Sequence, residues 1–282
     1  MTQEDYLTLD PKETTTVQLQ GILQGAIAPR PIAFASSMAK NGNINLSPFS
    51  FFNMFSSRPP VLIFSPARRV RNNTTKHTLE NVREMPEVVI NIVSYAIVEQ
   101  ASLASCEYPE GVNEFTKAGL TQLPSIKVKP PRVAESPASF ECVVKEIISL
   151  GTEGGAGNLI ICEVVLAHIK KEILTENGVI DPQKLDAVAR MGADFYCRAH
   201  GENVFVVPKP NVKLGIGFDQ LPTAIRNSKV LSGNDLGKLA NVEKLPEGNF
   251  SSDEAVHLQV KKILSENKVE EAWRSLTFNL EL

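Results

Sequence analysis

Nine consecutive residues, Asn45-Leu46-Ser47-Pro48-Phe49-Ser50-Phe51-Phe52-Asn53, carry two hydroxyls, three aromatic rings and two carboxamides. They follow a strand-like stretch, Pro31 to Ser37, and a turn at Asn41-Gly42. Pro48 removes a backbone donor and Ser47 breaks the apolar run, so the segment reads as a loop whose amides stay outside a sheet ladder. Such a loop suits a flat heteroaromatic ring, its Ser and Asn groups hydrogen-bonding the edge while a Phe contacts the face. The plainer alternative is a strand interrupted by proline, with Ser and Asn as turn residues.

Further along, Arg68, Arg69, Arg71 and Lys76 precede or open a helix expected over Thr74 to Met85. Cations beside a helix N-terminus form an anion site, or else a solvated basic loop. Gly151-Thr152-Glu153-Gly154-Gly155-Ala156-Gly157 has the glycines of a dinucleotide fingerprint, yet a strand follows where that fingerprint needs a helix, so it is expected to be a mobile inter-strand loop. Cys106, Cys142, Cys162 and Cys197 show neither a CxxC pair nor zinc spacing, and the four histidines form no ligand cluster, so no metal is expected. Cys142 and Cys162 lie in apolar runs and read as buried, inert thiols, and His168 as a half-exposed structural histidine. No Ser-His-Asp or paired-carboxylate arrangement appears.

The elements that must position these residues are mostly strands. Pro31 to Ser37, Val61 to Ser65, Val88 to Val93, Ala138 to Leu150, Leu159 to Ile169 and Val204 to Val207 are rich in Val, Ile and Phe and are separated by Gly, Pro and polar breaks. The pattern favours an antiparallel barrel with a few inserted helices. Ser94 is placed to cap a helix over Tyr95 to Ser105, and Asn113 to Ala118 forms a shorter one ending at Gly119. After Pro208-Lys209-Pro210 the character changes. Val230 to Gly233 reads as loop, whereas Ser251 with Glu254 forms a capping-box pattern. Two amphipathic helices then place Val256, Val260, Ile263 and Leu264, and next Val269, Ala272, Trp273 and Leu276, on single faces. Helices this short need a docking surface, on the barrel or on a partner subunit.

The chain of 282 residues carries 29 basic and 32 acidic side chains, a formal charge of -3, which gives no electrostatic reason to expect nucleic acid or an anionic membrane. Its acidic start and the lack of a spanning apolar run point to the cytoplasm.

Four segments occur in one order at short spacing: Pro29-Arg30-Pro31-Ile32-Ala33, Asn45 to Asn53, Arg58-Pro59-Pro60-Val61-Leu62-Ile63-Phe64-Ser65, and Lys76-His77-Thr78-Leu79-Glu80-Asn81. Together they resemble the flavin reductase-like, FMN-binding split-barrel family, over roughly residues 15 to 207. The resemblance implies a Greek-key type split β-barrel over residues 1–207, with a partly helical extension over 208–282 packing on the barrel or a partner subunit. It implies FMN as cofactor and NADH or NADPH as co-substrate, with the flavin carrying the chemistry and no catalytic side chain required. Carried over by motif, the FMN contacts are Arg30, Ser47, Phe49, Ser50, Phe51, Asn53, Ser65, Lys76, Thr78 and Asn81. Arg190 and Tyr196 join them through a late Arg and Tyr motif, in which Arg190 pairs with phosphate or with an acidic neighbour. Between Lys76 and Thr78 the family commonly has an acidic residue where this chain has His77, which alters the local charge.

The resemblance further implies a homodimer, and an acceptor that is free flavin passed to an oxygenase partner, a metal complex or another small molecule. Two rival readings are a flavin-binding protein without turnover, acting as a carrier or interaction module, and a pyridoxamine-phosphate oxidase-like FMN enzyme. The Ser-Pro-Phe-Ser loop and the Lys-His-Thr stretch fit the reductase branch better. Polar residues near 215 to 240, Arg226 and Asn234 among them, are expected either to shape access to the flavin or merely to cover the barrel.

Overall fold

A computed structural model describes residues 5–210 and 214–278; the acidic start at residues 1–4 lies outside them. The chain divides into two compact units, one ending at Phe205 and one beginning at Val206.

In the first unit, helix α1 (Thr16–Ala26) precedes strands β1 (Ala33–Met38), β2 (Ile44–Phe49), β3 (Phe52–Ser57) and β4 (Pro60–Phe64). Helix α2 (His77–Glu84), strand β5 (Glu87–Ile92) and helices α3 (Val98–Leu103) and α4 (Glu114–Ala118) follow. After a short ladder of β6 (Gln122–Leu123) and β7 (Arg132–Val133) come the long strands β8 (Ala138–Ser149) and β9 (Asn158–Ile169). The short helix α5 (Pro182–Leu185) leads to the hairpin of β10 (Val188–Arg190) and β11 (Tyr196–Arg198).

The main sheet has seven strands in the order β2-β1-β5-β8-β9-β4-β3, antiparallel throughout. Its two edge strands, β2 and β3, are consecutive in the chain and joined only by Ser50 and Phe51. A flat sheet of this width would hold its edges about 29 Å apart at ~4.8 Å per strand, far beyond the reach of a two-residue link. The sheet therefore curls until its edges meet, and since β2 and β3 share no ladder the barrel stays split along that line. This is the antiparallel split barrel that the motifs implied.

Alternation along the strands separates two cores. Ala33 and Ala35 of β1 and Phe49 of β2 face the cluster that holds Phe64, Ile90, Cys142 and Ile160, with Leu79 and Val82 of α2. Phe34 and Leu46 face the other way, under Ala101 of α3 and Phe115 of α4. Cys142 and Cys162 are fully buried, and burial pushes the Cys142 thiol up to about 12.

Several local expectations are corrected. Asn45 to Asn53 is two edge strands with a two-residue link, not a loop, because β2 pairs with β1 through Pro48 and on one side only, where the missing donor costs no ladder bond. Val204 to Val207 is no strand: it finds no pairing partner and leaves Phe205 and Val206 exposed. Ser94 makes no side-chain cap, and its helix is a 3₁₀ turn, Tyr95–Ile97, before α3. Asn113 and Gly119 do cap α4, Asn113 accepting from the Phe115 amide and Gly119 taking the left-handed conformation. The glycine segment connects β8 to β9, but it is pinned: the Arg68 amide donates to the Ala156 carbonyl at 2.8 Å and the Gly155 amide to the Arg68 carbonyl at 3.0 Å.

In the second unit, α6 (Thr223–Arg226), α7 (Gly233–Ala240), α8 (Glu254–Ser265) and α9 (Val269–Leu276) build a core of their own, with Ile225, Leu239, Val260, Leu264, Trp273 and Leu276 buried. The amphipathic faces read from the sequence pack on one another. The capping box is Ser232 with Asp235 at α7, a helix not foreseen; α8 is capped by Asp253, whose carboxylate accepts from the Ala255 amide at 2.8 Å, rather than by Ser251.

Candidate functional site

Strand β2 places Asn45, Ser47 and Phe49 on one face by alternation. Asn45 and Ser47 line a pocket together with Lys76, His77 and Thr78 at the start of α2, Arg69 from the preceding loop, Cys106, Glu107 and Tyr108 from the segment after α3, and Glu114 of α4. Of the residues picked from the sequence, this pocket gathers Ser47, Lys76 and Thr78.

Its floor is a buried polar network. The Thr78 hydroxyl donates to Asn45 Oδ1 at 2.6 Å, Asn45 Nδ2 donates to Glu114 Oε1 at 2.9 Å, and the Leu46 amide donates to Glu114 Oε2 at 3.0 Å. Thr78 thus orients the strand that carries Ser47. Glu114 is 3% exposed, and burial raises its carboxyl against the opposing pull of those hydrogen bonds and of nearby His77.

The wall is cationic. The Lys76 ammonium makes no hydrogen bond or ion pair among the described residues. Burial lowers its pKa first, and the like charges of Arg69 and Arg71 lower it further. Those arginines share one carboxylate: Arg69 Nε donates to Glu107 Oε1 at 2.9 Å and Arg71 donates to Glu107 Oε2. Arg69 is held also by Thr74 Oγ1 at 2.9 Å and by the Thr75 carbonyl. The first amides of α2 open beside this wall. A half-buried ammonium without a counter-ion among the described residues, flanked by guanidinium groups and helix amides, has the chemistry to accept an anion.

A second group lies where Ala33 of β1 pairs with Phe49 of β2. Arg30 and Arg190 exchange backbone hydrogen bonds of 2.9 and 2.8 Å. The Arg30 guanidinium, 7% exposed, donates to the carbonyls of Gln24 and Ile27 at 2.5 Å and of Met191 at 2.8 Å, leaving Nε without a partner. Burial and neighbouring Arg190 depress its pKa. Arg190 stacks on Tyr196 at 4.7 Å and lies 4.0 Å from Asp194.

The other picked residues are distributed. Phe49 is buried against Phe64 at 5.4 Å, whereas Phe51 is exposed at the split beside Ser50. Asn53 pairs with Ile63 and accepts from the Met54 amide at 2.8 Å. Ser65 accepts from the Asn158 amide at 3.1 Å, and Asn81 donates to Ser37 at 3.1 Å inside the barrel. Glu107 and Glu114 were missed, since their partners lie more than 30 residues away in sequence and no local spacing marks them.

The profile of the Flavin reductase like domain matches residues 26–187, within the first unit. A protein of Aquifex aeolicus (strain VF5), described only as uncharacterized, is 38% identical over 191 residues, which are 68% of this chain and 95% of that one. Among solved structures, nitrilotriacetate monooxygenase component B from Bacillus cereus is 30% identical with a TM-score of 0.66, covering 71% of this chain and 98% of its own. The 2-nitrobenzoate 2-nitroreductase of Pseudomonas fluorescens is 25% identical with a TM-score of 0.62, covering 72% of this chain and 96% of its own.

Proposed function

Because the chain belongs to the flavin reductase like domain family, we propose that it is an FMN-binding oxidoreductase that takes hydride from NADH or NADPH and passes the reducing equivalents to an acceptor. The observation that carries the FMN reading is Lys76, a half-buried cation at the start of α2 with no counter-ion among the described residues. A terminal phosphate supplies the missing charge, and Arg69 and the first amides of α2 supply further donors.

Beyond the phosphate, Ser47 and Ser50 would offer hydrogen bonds to the ring's polar edge and exposed Phe51 an aromatic face. Phe49 acts from behind, filling the barrel against Phe64. Bound FMN accepts and releases the hydride, so the protein's part is to hold the ring, orient the nicotinamide and limit access. No side-chain nucleophile is assigned.

Component B of a monooxygenase among the similar structures supports an oxygenase partner as the destination of reduced flavin. A homodimer is supported by α1, which buries none of its residues and exposes Val17 and Leu23, and by edge strand β3, which exposes Met54 and Phe55. Four free cysteines suit a reducing cytoplasm, and no helix among the described residues is long and apolar enough to cross a membrane.

The test is oxidation of NADH and NADPH by the purified full chain with and without added FMN, alongside flavin titrations of Lys76→Ala. One charge-assisted hydrogen bond is worth about 1.5–3 kcal/mol, so the variant should lose roughly 10-fold to 150-fold in FMN affinity and little for riboflavin. Absence of flavin-dependent turnover with either nucleotide would refute the reductase assignment.

A further inference from the structure

The four cations read from the sequence are not equivalent in the folded protein. Arg68 is spent on Asn73, donating to its side-chain and backbone oxygens at 2.5 Å. Arg69 is committed through Nε to Glu107 and through its terminal nitrogen to Thr74 and Thr75. Arg71 closes on the other oxygen of Glu107. Of the four, Lys76 is the one with no hydrogen bond or ion pair among the described residues. Glu107, itself a pocket residue, is therefore an anion already paired with both Arg69 and Arg71.

We infer that Glu107 is a resident counter-anion that competes with the flavin phosphate for Arg69 and Arg71, weakening the hold on FMN and speeding its release. The inference rests on the phosphate reading of Lys76. An arriving phosphate gains Lys76 outright but must share or displace Glu107 to gain the guanidinium groups, and the carboxylate repels it throughout. On departure the same carboxylate recaptures the arginines, which lowers the barrier to release. Arg71, largely exposed, is free to follow either anion, whereas Arg69 stays oriented by Thr74 and Thr75. A site of this kind suits a protein that hands reduced flavin to a separate acceptor.

Glu107→Gln isolates the charge, because a glutamine oxygen still accepts from Arg69 Nε. The full-length variant and the parent are titrated with FMN and with riboflavin, and FMN dissociation is followed by stopped flow. The expected result is FMN binding tighter by about threefold to tenfold, with release slowed to match and riboflavin affinity unchanged within about twofold. Should Glu107→Gln not fold, Glu107→Ala is read in the same way. Weaker FMN binding in the variant would overturn the inference and make Glu107 a positioning residue for the arginines. Equal changes for FMN and riboflavin would overturn it as well. Lys76→Ala, run in parallel, separates the two claims: if it fails to discriminate FMN from riboflavin, the phosphate reading falls and this inference with it, whereas a selective loss there with no change in Glu107→Gln removes this inference alone.

Discussion

Glu114 and Asn45 lie 69 residues apart in sequence and are joined by a buried hydrogen bond of 2.9 Å that ties α4 to the edge strand β2. The second oxygen of the same carboxyl takes the Leu46 amide, so one side chain fixes two consecutive residues of the strand that carries Ser47. In the sheet itself β2 has one ladder neighbour, β1, so this tie and the Thr78 hydrogen bond to Asn45 are what fix its other side.

Glu114→Ala should therefore cost about 2–6 kcal/mol, since it orphans two buried donors at about 1–3 kcal/mol each. Glu114→Gln should cost far less, because rotation of the Asn45 carboxamide, with the Thr78 hydroxyl turning from donor to acceptor, restores complementary pairs. The sign of the pH effect follows from the raised folded pKa. The contribution of Glu114 is fully present below the unfolded carboxyl value and is lost as pH rises through the folded value. Urea unfolding across the mildly acidic range, parent against Glu114→Gln, checks this; the variant should lack that loss.

Glu141 behaves in the opposite sense. It is fully buried, and burial works to raise its pKa, but the amides of Ile126, Lys127 and Val128 and the ring of His168 at 2.7 Å all bond to its oxygens, and the net shift is downward. Its stabilisation is present above the unfolded carboxyl value and disappears as pH falls through the lower folded value. Glu141→Gln should flatten the acid limb of the stability curve and loosen the 126–128 loop, measurable by amide hydrogen exchange. An unchanged acid limb would show that another carboxylate governs it.

These two carboxylates also show what the sequence could convey. Strands β4, β5, β8 and β9 were legible because each is a run of β-branched and aromatic residues bounded by turns. Edge strands β2 and β3 were not, because an edge tolerates Pro48 and polar Ser and Asn, the same residues that mark a loop. Helix α1 buries no residue and so offers no inward stripe to read. Helix α7 hid behind Gly233 and Gly237, although Ser232 and Asp235 were there as its signal. At the candidate site, Lys76 and Thr78 were marked by a compact motif. Glu107 and Glu114 were not, since a buried or bridging carboxylate is defined by partners that only the fold brings near.

The basic loop should prove sensitive to the glycine segment that supports it. A Cβ on Gly154 would lie 3.0 Å from Val70 Cα and from the Val70 carbonyl oxygen, and 3.1 Å from the Arg69 carbonyl oxygen, all backbone atoms that cannot swing aside. Gly154→Ala should cost about 1–3 kcal/mol and weaken FMN by displacing Arg69. Gly21→Ala in α1, where nothing lies within 4 Å, should be neutral or stabilising by about 0.5–1 kcal/mol. FMN titration and thermal unfolding of both variants check the contrast, and equal behaviour would detach the glycine segment from the site.

The second unit offers a built-in reporter. The chain has one tryptophan, Trp273, which is buried, donates to the Leu239 carbonyl at 3.2 Å and packs edge-on to Phe250 at 5.8 Å. Its fluorescence therefore follows the core of residues 206–282, whereas bound flavin reports on the barrel. Since each unit has its own core, a chain ending at Phe205 should remain soluble and keep its FMN, and residues 206–282 should fold alone. In the full chain, tryptophan fluorescence should show a transition of shallower urea dependence than the barrel signal, because the slope scales with the surface exposed and this unit is the smaller. Turnover of the shortened chain with NADH and NADPH then decides the role of the extension: an unchanged donor and acceptor profile would exclude residues 215 to 240 from access to the flavin. Coincident, equally steep transitions, together with an insoluble fragment, would show that the two cores depend on each other.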